Sequence, residues 1–202
     1  RYHQIAMNQA ESKWNRSVSD TLAGKTLGIL GLGAIGAELA RKAAALELKV
    51  IGTKRSPGSV PHVAEVHAPE RLDEVLAQSH FVVLLLPATD ATRNLIDARR
   101  LARMRKDAWL LNFARGSLIV DDDLIAAVKA RTIAGAILDV FRTEPLPETH
   151  PFWTTPGIHV LPHIGGMHKD RDHMVAALFA DNVARHLKGE PLLELVDRTR
   201  GY

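Results

Sequence analysis

The chain has 202 residues, 46% of them hydrophobic, which is enough for one well-buried core with a small appendage and too little for two full domains. Lys and Arg total 26 against 23 Asp and Glu, a formal charge of +3, so the sequence predicts a mild pull on anionic ligands and no strongly basic nucleic-acid surface. The chain has no cysteine, which excludes a disulfide framework, a thiolate metal site and a cysteine nucleophile, and no apolar run nears the ~20 residues of a membrane helix.

The first 16 residues are polar and mixed, unlike a signal peptide, and the expectation is a cytoplasmic protein without a membrane partner. From Lys25 onward short β-rich runs alternate with longer helical stretches, the rhythm of βαβ units in a parallel sheet. A strand is expected over residues 25–30, then a helix over 34–46 with Ile35, Leu39, Ala43 and Leu46 on one face. A second strand over 48–52 leads into a polar loop, 54–62, containing Pro57, Gly58 and Pro61, and a short strand over 63–66 follows. After a helix over 70–77, residues 81–86 form an almost unbroken apolar run ended by Pro87, as in a central parallel strand buried on both faces. Later strands are expected over 108–112, 135–139 and 158–161, with helices over 121–130 and 170–187, the last ending before Gly189. The fold class is α/β, a doubly wound parallel sheet of the Rossmann type.

Gly31-Leu32-Gly33-Ala34-Ile35-Gly36 follows the first strand and opens the first helix, the context a dinucleotide fingerprint requires. Gly31 permits the tight turn, Gly33 lets backbone approach a pyrophosphate, and Gly36 lets helix and strand pack closely. The helix N-terminus adds unpaired N–H groups and partial positive charge. About 20 residues on, an acid would bind a ribose 2′-OH and repel a 2′-phosphate. Here the residues are Lys54, Arg55 and Ser56, two cations and a hydroxyl, so NADP is the expected cofactor, with NAD possible.

Four motifs give the chain a resemblance to the D-isomer-specific 2-hydroxyacid dehydrogenase family, from about Trp14 onward. They are the glycine turn, Asn112-Phe113-Ala114-Arg115-Gly116, the run from Leu138-Asp139-Val140-Phe141-Arg142-Thr143 through Glu144-Pro145-Leu146-Pro147, and Pro162-His163-Ile164-Gly165-Gly166. They stand in the family's order with compatible spacing. The resemblance implies a hydride transfer between NAD(P)H and a small 2-oxo or 2-hydroxy acid, of the glyoxylate/hydroxypyruvate reductase type. Arg115 matches the arginine that grips the substrate's carboxylate and carbonyl, work suited to a planar guanidinium that cannot lose its proton. His163 matches the general acid, and base in reverse, a role for a side chain that titrates near neutrality. Glu144 matches the acid that pairs with that histidine and favours its charged form. Asp139 matches the contact to the nicotinamide carboxamide, and Ala34, Ile35, Pro87, Thr92, Phe113, Ala114 and Gly166 match the lining of the cofactor cleft. Phe113 departs from the family, in which a smaller residue is commoner.

The resemblance also divides the chain. Residues 1–20 correspond to the tail of a substrate domain, 21–168 to the dinucleotide-binding domain, and 169–202 to a C-terminal helix and tail that return to a substrate domain mostly missing from this chain. Met174, Val175, Leu178 and Phe179 on that helix are expected to need a partner. Homodimerisation is implied in the same way. The alternative from another class is a nicotinamide-dependent binding protein, a corepressor-like module on the same fold.

Three further features suggest other chemistry and are read more simply. Arg99-Arg100 and Arg103-Met104-Arg105-Lys106 are taken as a solvated helix face with cations near its C-terminus, not a nucleic-acid site. Asp121-Asp122-Asp123 are taken as acids that cap N–H groups at the start of their own helix and answer its dipole, not as a metal site. His159, His168 and His173 show no zinc spacing, and no metal site is expected.

Overall fold

The computed structural model describes residues 2–16, 18–56 and 58–198. Its strands are β1 (Thr26–Leu30), β2 (Lys49–Thr53), β3 (Glu65–His67), β4 (Phe81–Leu84), β5 (Trp109–Asn112), β6 (Gly135–Leu138) and β7 (Ile158–Val160). They form a seven-stranded sheet in the order β3-β2-β1-β4-β5-β6-β7, with every neighbouring pair parallel. The strand order runs outward in opposite directions from β1 and β4, and a doubly wound sheet opens its ligand crevice at that switch, beyond the strands' carboxyl ends. The helices are α1 (Tyr2–Ala10), α2 (Ala34–Ala45), α3 (Leu72–Gln78), α4 (Ala98–Leu101), α5 (Asp121–Lys129) and α6 (Arg171–Lys188).

Strand periodicity divides the core between the two faces of the sheet. Leu27 and Ile29 of β1, with Val50 and Val83, pack with Ala40 and Ala43 of α2. Leu30, with Ile51, Val82 and Leu84, packs with Leu72, Val75 and Leu76 of α3 and continues into α5 through Leu124 and Val128. Leu30 and Leu84 are completely buried, and truncating either to alanine costs about 2–5 kcal/mol.

Several elements differ from the sequence expectation. On α2 the buried residues are Gly36, Ala40 and Ala43, whereas Ile35 is 72% exposed and Leu46 57%. Close approach of helix to strand selects the small residues for the inner face and turns Ile35 towards the crevice. The third strand runs from Glu65 to His67, starting two residues late, and Ala64 gives its N–H to Val50 O in the approach to it. A 3₁₀ turn, Pro69–Arg71, precedes α3, and β4 stops at Leu84. α1 lies in a segment expected only as a tail. Gly189, with φ 69°, closes α6 in the left-handed conformation.

Asp121, Asp122 and Asp123 do not cap their own helix. Val120 occupies the cap position without a side-chain bond, while Asp123 accepts the N–H of Ala98 at the start of α4. Nor do the basic residues form one helix face, since α4 ends at Leu101. Arg99 and Arg100 both reach Asp73, and Arg105 pairs with Asp107.

On α6, Met174 is 64% and Phe179 70% exposed, with Val175 and Leu178 exposed beside them. No helix of the described residues is long and apolar enough to cross a membrane. Pro57, Arg1, Ser17 and the last four residues, counted above in a loop and in the flanking segments, lie outside the described residues.

Candidate active site

The glycine turn joins β1 to α2 at the crevice. Gly31 has φ 109°, and a Cβ there would stand 2.7 Å from Leu85 O. At Gly36 a Cβ would collide with the Gly31 carbonyl oxygen, but at Gly33 it would meet nothing within 4 Å. Two glycines are therefore required by the protein's own packing, while Gly33 keeps open the approach to the backbone at the N-terminus of α2. The cleft beyond, of about 430 Å³, is lined by Ile35 after β1, by residues 85–88 including Pro87 after β4, and by Phe113, Ala114 and Arg115 after β5. Five residues singled out from the sequence thus meet on one wall.

Arg115 is carried by a loop that Asn112 holds. Asn112 is completely buried at the end of β5; its side-chain amide donates to Arg115 O at 3.0 Å, and its Oδ1 accepts the N–H of Ala114 at 3.0 Å. This short clasp keeps Arg115 extended, with its exposed side chain reaching back to Ala114 O at 2.6 Å. Sequence reasoning missed Asn112 as a support. A lone polar residue at the end of an apolar strand was the available signal.

Glu144 and His163 come together although 19 residues separate them. His163 Nδ1 lies 2.6 Å from Glu144 Oε2, and Glu144 Oε1 accepts the N–H of Phe141 at 2.8 Å. The hydrogen bond with His163 is the main cause holding the Glu144 carboxyl below its ordinary value, with help from the Phe141 N–H and from the charges of His163 and Arg115. A carboxylate facing Nδ1 fixes the proton on that nitrogen and leaves Nε2 to exchange protons. His163 is about half exposed, as a group acting on a ligand must be.

Asp139 supports the histidine from beneath. It is 2% exposed, and its two carboxylate oxygens accept the N–H groups of Ile164 and Gly165, each at 2.8 Å. His163 has φ 54°, a left-handed backbone that turns the next two N–H groups towards one anion. Both Asp139 oxygens serve the histidine loop, a role that the sequence expectation of a nicotinamide contact did not include.

The remaining cofactor candidates are dispersed. Lys54, Arg55 and Ser56 follow β2 at the same carboxyl edge, and the Lys54 N–H bonds His67 O. The Thr92 hydroxyl donates to Pro87 O at 2.7 Å and accepts the Thr89 N–H at 2.8 Å, so it closes its own loop beside the cleft. Gly166 has open space around it, as has Gly33, and Ala34 is exposed at the first turn of α2. Among the described residues no cluster of three His, Cys, Asp or Glu could hold a metal ion.

Residues 1–165 match the family model described as D-isomer specific 2-hydroxyacid dehydrogenase, NAD binding domain. The chain belongs to this family. It is 31% identical to the glyoxylate/hydroxypyruvate reductase A of Photorhabdus laumondii over all of this chain and 64% of that protein. A D-isomer specific 2-hydroxyacid dehydrogenase of Xanthobacter autotrophicus, solved with NADPH and MES, is 38% identical and superposes with a TM-score of 0.88 over 98% of this chain and 81% of that one. The NADPH-dependent glyoxylate/hydroxypyruvate reductase of Sinorhizobium meliloti, solved with NADP and sulfate, is 32% identical with a TM-score of 0.88, over all of this chain and 64% of that one. The chain spans 59% and 64% of the two curated relatives with which it was aligned.

Proposed function

We propose that this 2-hydroxyacid dehydrogenase domain serves an NADPH-dependent reductase of small 2-oxo acids, glyoxylate and hydroxypyruvate first among them, with the corresponding 2-hydroxy acid as product. The observation that carries the reading is the His163–Glu144 pair, 2.6 Å apart and at the same sheet edge as Arg115 and the glycine turn. The turn fits a dinucleotide, because the space left at Gly33 admits a pyrophosphate to the N-terminus of α2, whose first N–H groups have no partner within the helix. Gly31, Gly33, Ala34, Ile35 and Gly36 would hold the pyrophosphate side. Pro87, Thr92, Phe113, Ala114, Asp139 and Gly166 would border the nicotinamide side.

Bound reduced nicotinamide would supply the hydride. Arg115 orients the 2-oxo acid through its carboxylate and polarises the carbonyl. His163 delivers a proton from Nε2 to the carbonyl oxygen as the carbon gains the hydride, which balances the conversion of carbonyl to alcohol. Glu144 holds the ring at Nδ1 and stabilises the imidazolium before transfer; a general acid so placed contributes about 10²–10⁴ in rate. Lys54, Arg55 and Ser56, with no acid among them, favour a 2′-phosphate, and the Xanthobacter and Sinorhizobium relatives were solved with NADPH and NADP. A cytoplasmic homodimer belongs to the same reading and rests on family likeness alone.

The test is the absorbance of reduced nicotinamide, followed with glyoxylate and hydroxypyruvate on the full-length protein, with NADPH and NADH in parallel and His163→Ala as control. Oxidation that prefers NADPH and disappears in the control is expected. Cofactor binding without turnover of any 2-oxo acid would overturn the reading in favour of a binding protein.

A further inference from the structure

Arg142 stands in the motif that carries Glu144, and none of the roles above includes it. Its guanidinium ties its own turn to two other segments, at Asn94 and at residues 119–121. Nη2 donates to Asn94 Oδ1 at 2.5 Å and also to Ile119 O, while Nε lies 3.3 Å from Asp121 Oδ1. Asp121 in turn faces His150 Nε2 at 3.6 Å. Burial is the main influence on the Asp121 carboxyl and pushes it up; the Arg142 and His150 charges oppose it. The Arg142 side chain is itself 33% exposed, so these bonds form where water competes only in part.

The segments joined are those that carry the site. Residues 94–96 run beside 117–120, with Asn94 N–H on Ser117 O, Ile96 N–H on Leu118 O and Val120 N–H on Ile96 O. That strip begins at Arg115. Gly116 lies so close to the peptide between Phe141 and Arg142 that a Cβ there would collide with it. The turn that begins at this peptide ends at Glu144, whose Oε1 takes the Phe141 N–H. One guanidinium therefore locks the turn bearing Glu144 onto the loop bearing Arg115.

We propose that Arg142 is a positioning residue, which sets the Glu144 carboxylate against His163 and in register with Arg115 through its bonds to Asn94, Ile119 O and Asp121. The catalytic part rests on the reductase reading; the positioning part is tested without it. A fork that serves three acceptors at once is guanidinium chemistry, and a lysine can replace only one of those bonds.

The first measurement is proton NMR of this chain without cofactor, following the hydrogen-bonded Nδ1 proton of His163, assigned with His163→Asn. In Arg142→Met that downfield signal is expected to broaden or disappear while the protein stays folded by circular dichroism. Arg142→Lys should weaken it less. Asp121→Asn, which keeps Arg142 and two of its acceptors, should give the smallest change and guards against a folding failure in the methionine variant. On the full-length enzyme Arg142→Met should lower kcat roughly 10- to 100-fold, as expected for a misplaced catalytic group, with KM for glyoxylate altered far less. An unchanged Nδ1 signal in folded Arg142→Met, or a loss of kcat matched only by loss of folded protein, would overturn the proposal. A wild-type enzyme that binds NADPH but turns over no 2-oxo acid would sink the reductase reading and leave the NMR result to decide the positioning.

Discussion

Gly36 faces the carbonyl oxygen of Gly31 so closely that no side chain fits between the first turn of α2 and the end of β1. Gly33, between them, has open space instead. The two positions should therefore respond oppositely to the same methyl group. Gly36→Ala must push helix from strand and is expected to cost about 1–3 kcal/mol by denaturant unfolding. Gly33→Ala should keep its unfolding midpoint nearly unchanged and weaken NADPH binding by roughly tenfold, about 1.4 kcal/mol, in a fluorescence titration. Equal loss of stability in both variants would argue against a ligand at Gly33.

The Asp139 carboxylate accepts two successive N–H groups from the loop that follows His163. Asp139→Asn turns one acceptor into a donor facing a donor, inside a buried site. A loss of about 1.5–3 kcal/mol is expected, together with faster hydrogen exchange at Ile164 and Gly165. Exchange unchanged at those two amides would mean that Asp139 does not hold the loop.

Glu144 gives a pH prediction whose sign follows from its lowered pKa. A carboxyl held below its ordinary 4.5 contributes stability while it is ionised, above that value, and the contribution is lost as pH falls through the lower folded value. Glu144→Gln should therefore melt below wild type at about pH 6, and the gap should close as pH falls below 4.5 through the lower folded value. A gap that stays constant as the pH falls would show that charge is not the cause. In turnover, the same variant should lose activity with its KM for the 2-oxo acid largely kept, since Arg115 remains.

The basic loop after β2 predicts cofactor choice. The double variant Lys54→Ala/Arg55→Ala should weaken NADPH binding and leave NADH nearly unaffected, narrowing the preference by about tenfold, and the wild-type preference should shrink as salt is raised. Parallel loss of both cofactors would place the two cations elsewhere in the binding surface.

Local patterns made much of the protein legible. The alternation of apolar runs and helical stretches determined the parallel α/β class, because strand and helix periods are properties of neighbouring residues. The glycine turn was legible for the same reason, as all its constraints lie within six residues of chain. The motif match brought Arg115, Glu144 and His163 into view before any geometry did. The inner face of α2 was legible only in part: Ala43 is buried and Leu39 packs beside it as periodicity indicates, whereas Ile35 and Leu46 are exposed and the closeness of β1 adds Gly36 and Ala40.

What only the tertiary structure decided is the set of bonds between segments distant in sequence. Asp121 and Asp123 look like caps of their own helix until folding brings Arg142 beside the first and the N-terminus of α4 beside the second. That Asp139 holds the histidine loop shows only once the chain after β7 delivers Ile164 and Gly165 to it. A polar side chain spends its hydrogen bonds on whatever the fold brings within about 3 Å, and no pattern of near neighbours contains that information. The sequence alone determined which residue types stand at the sheet edge, and the fold decided which residues hold them in place.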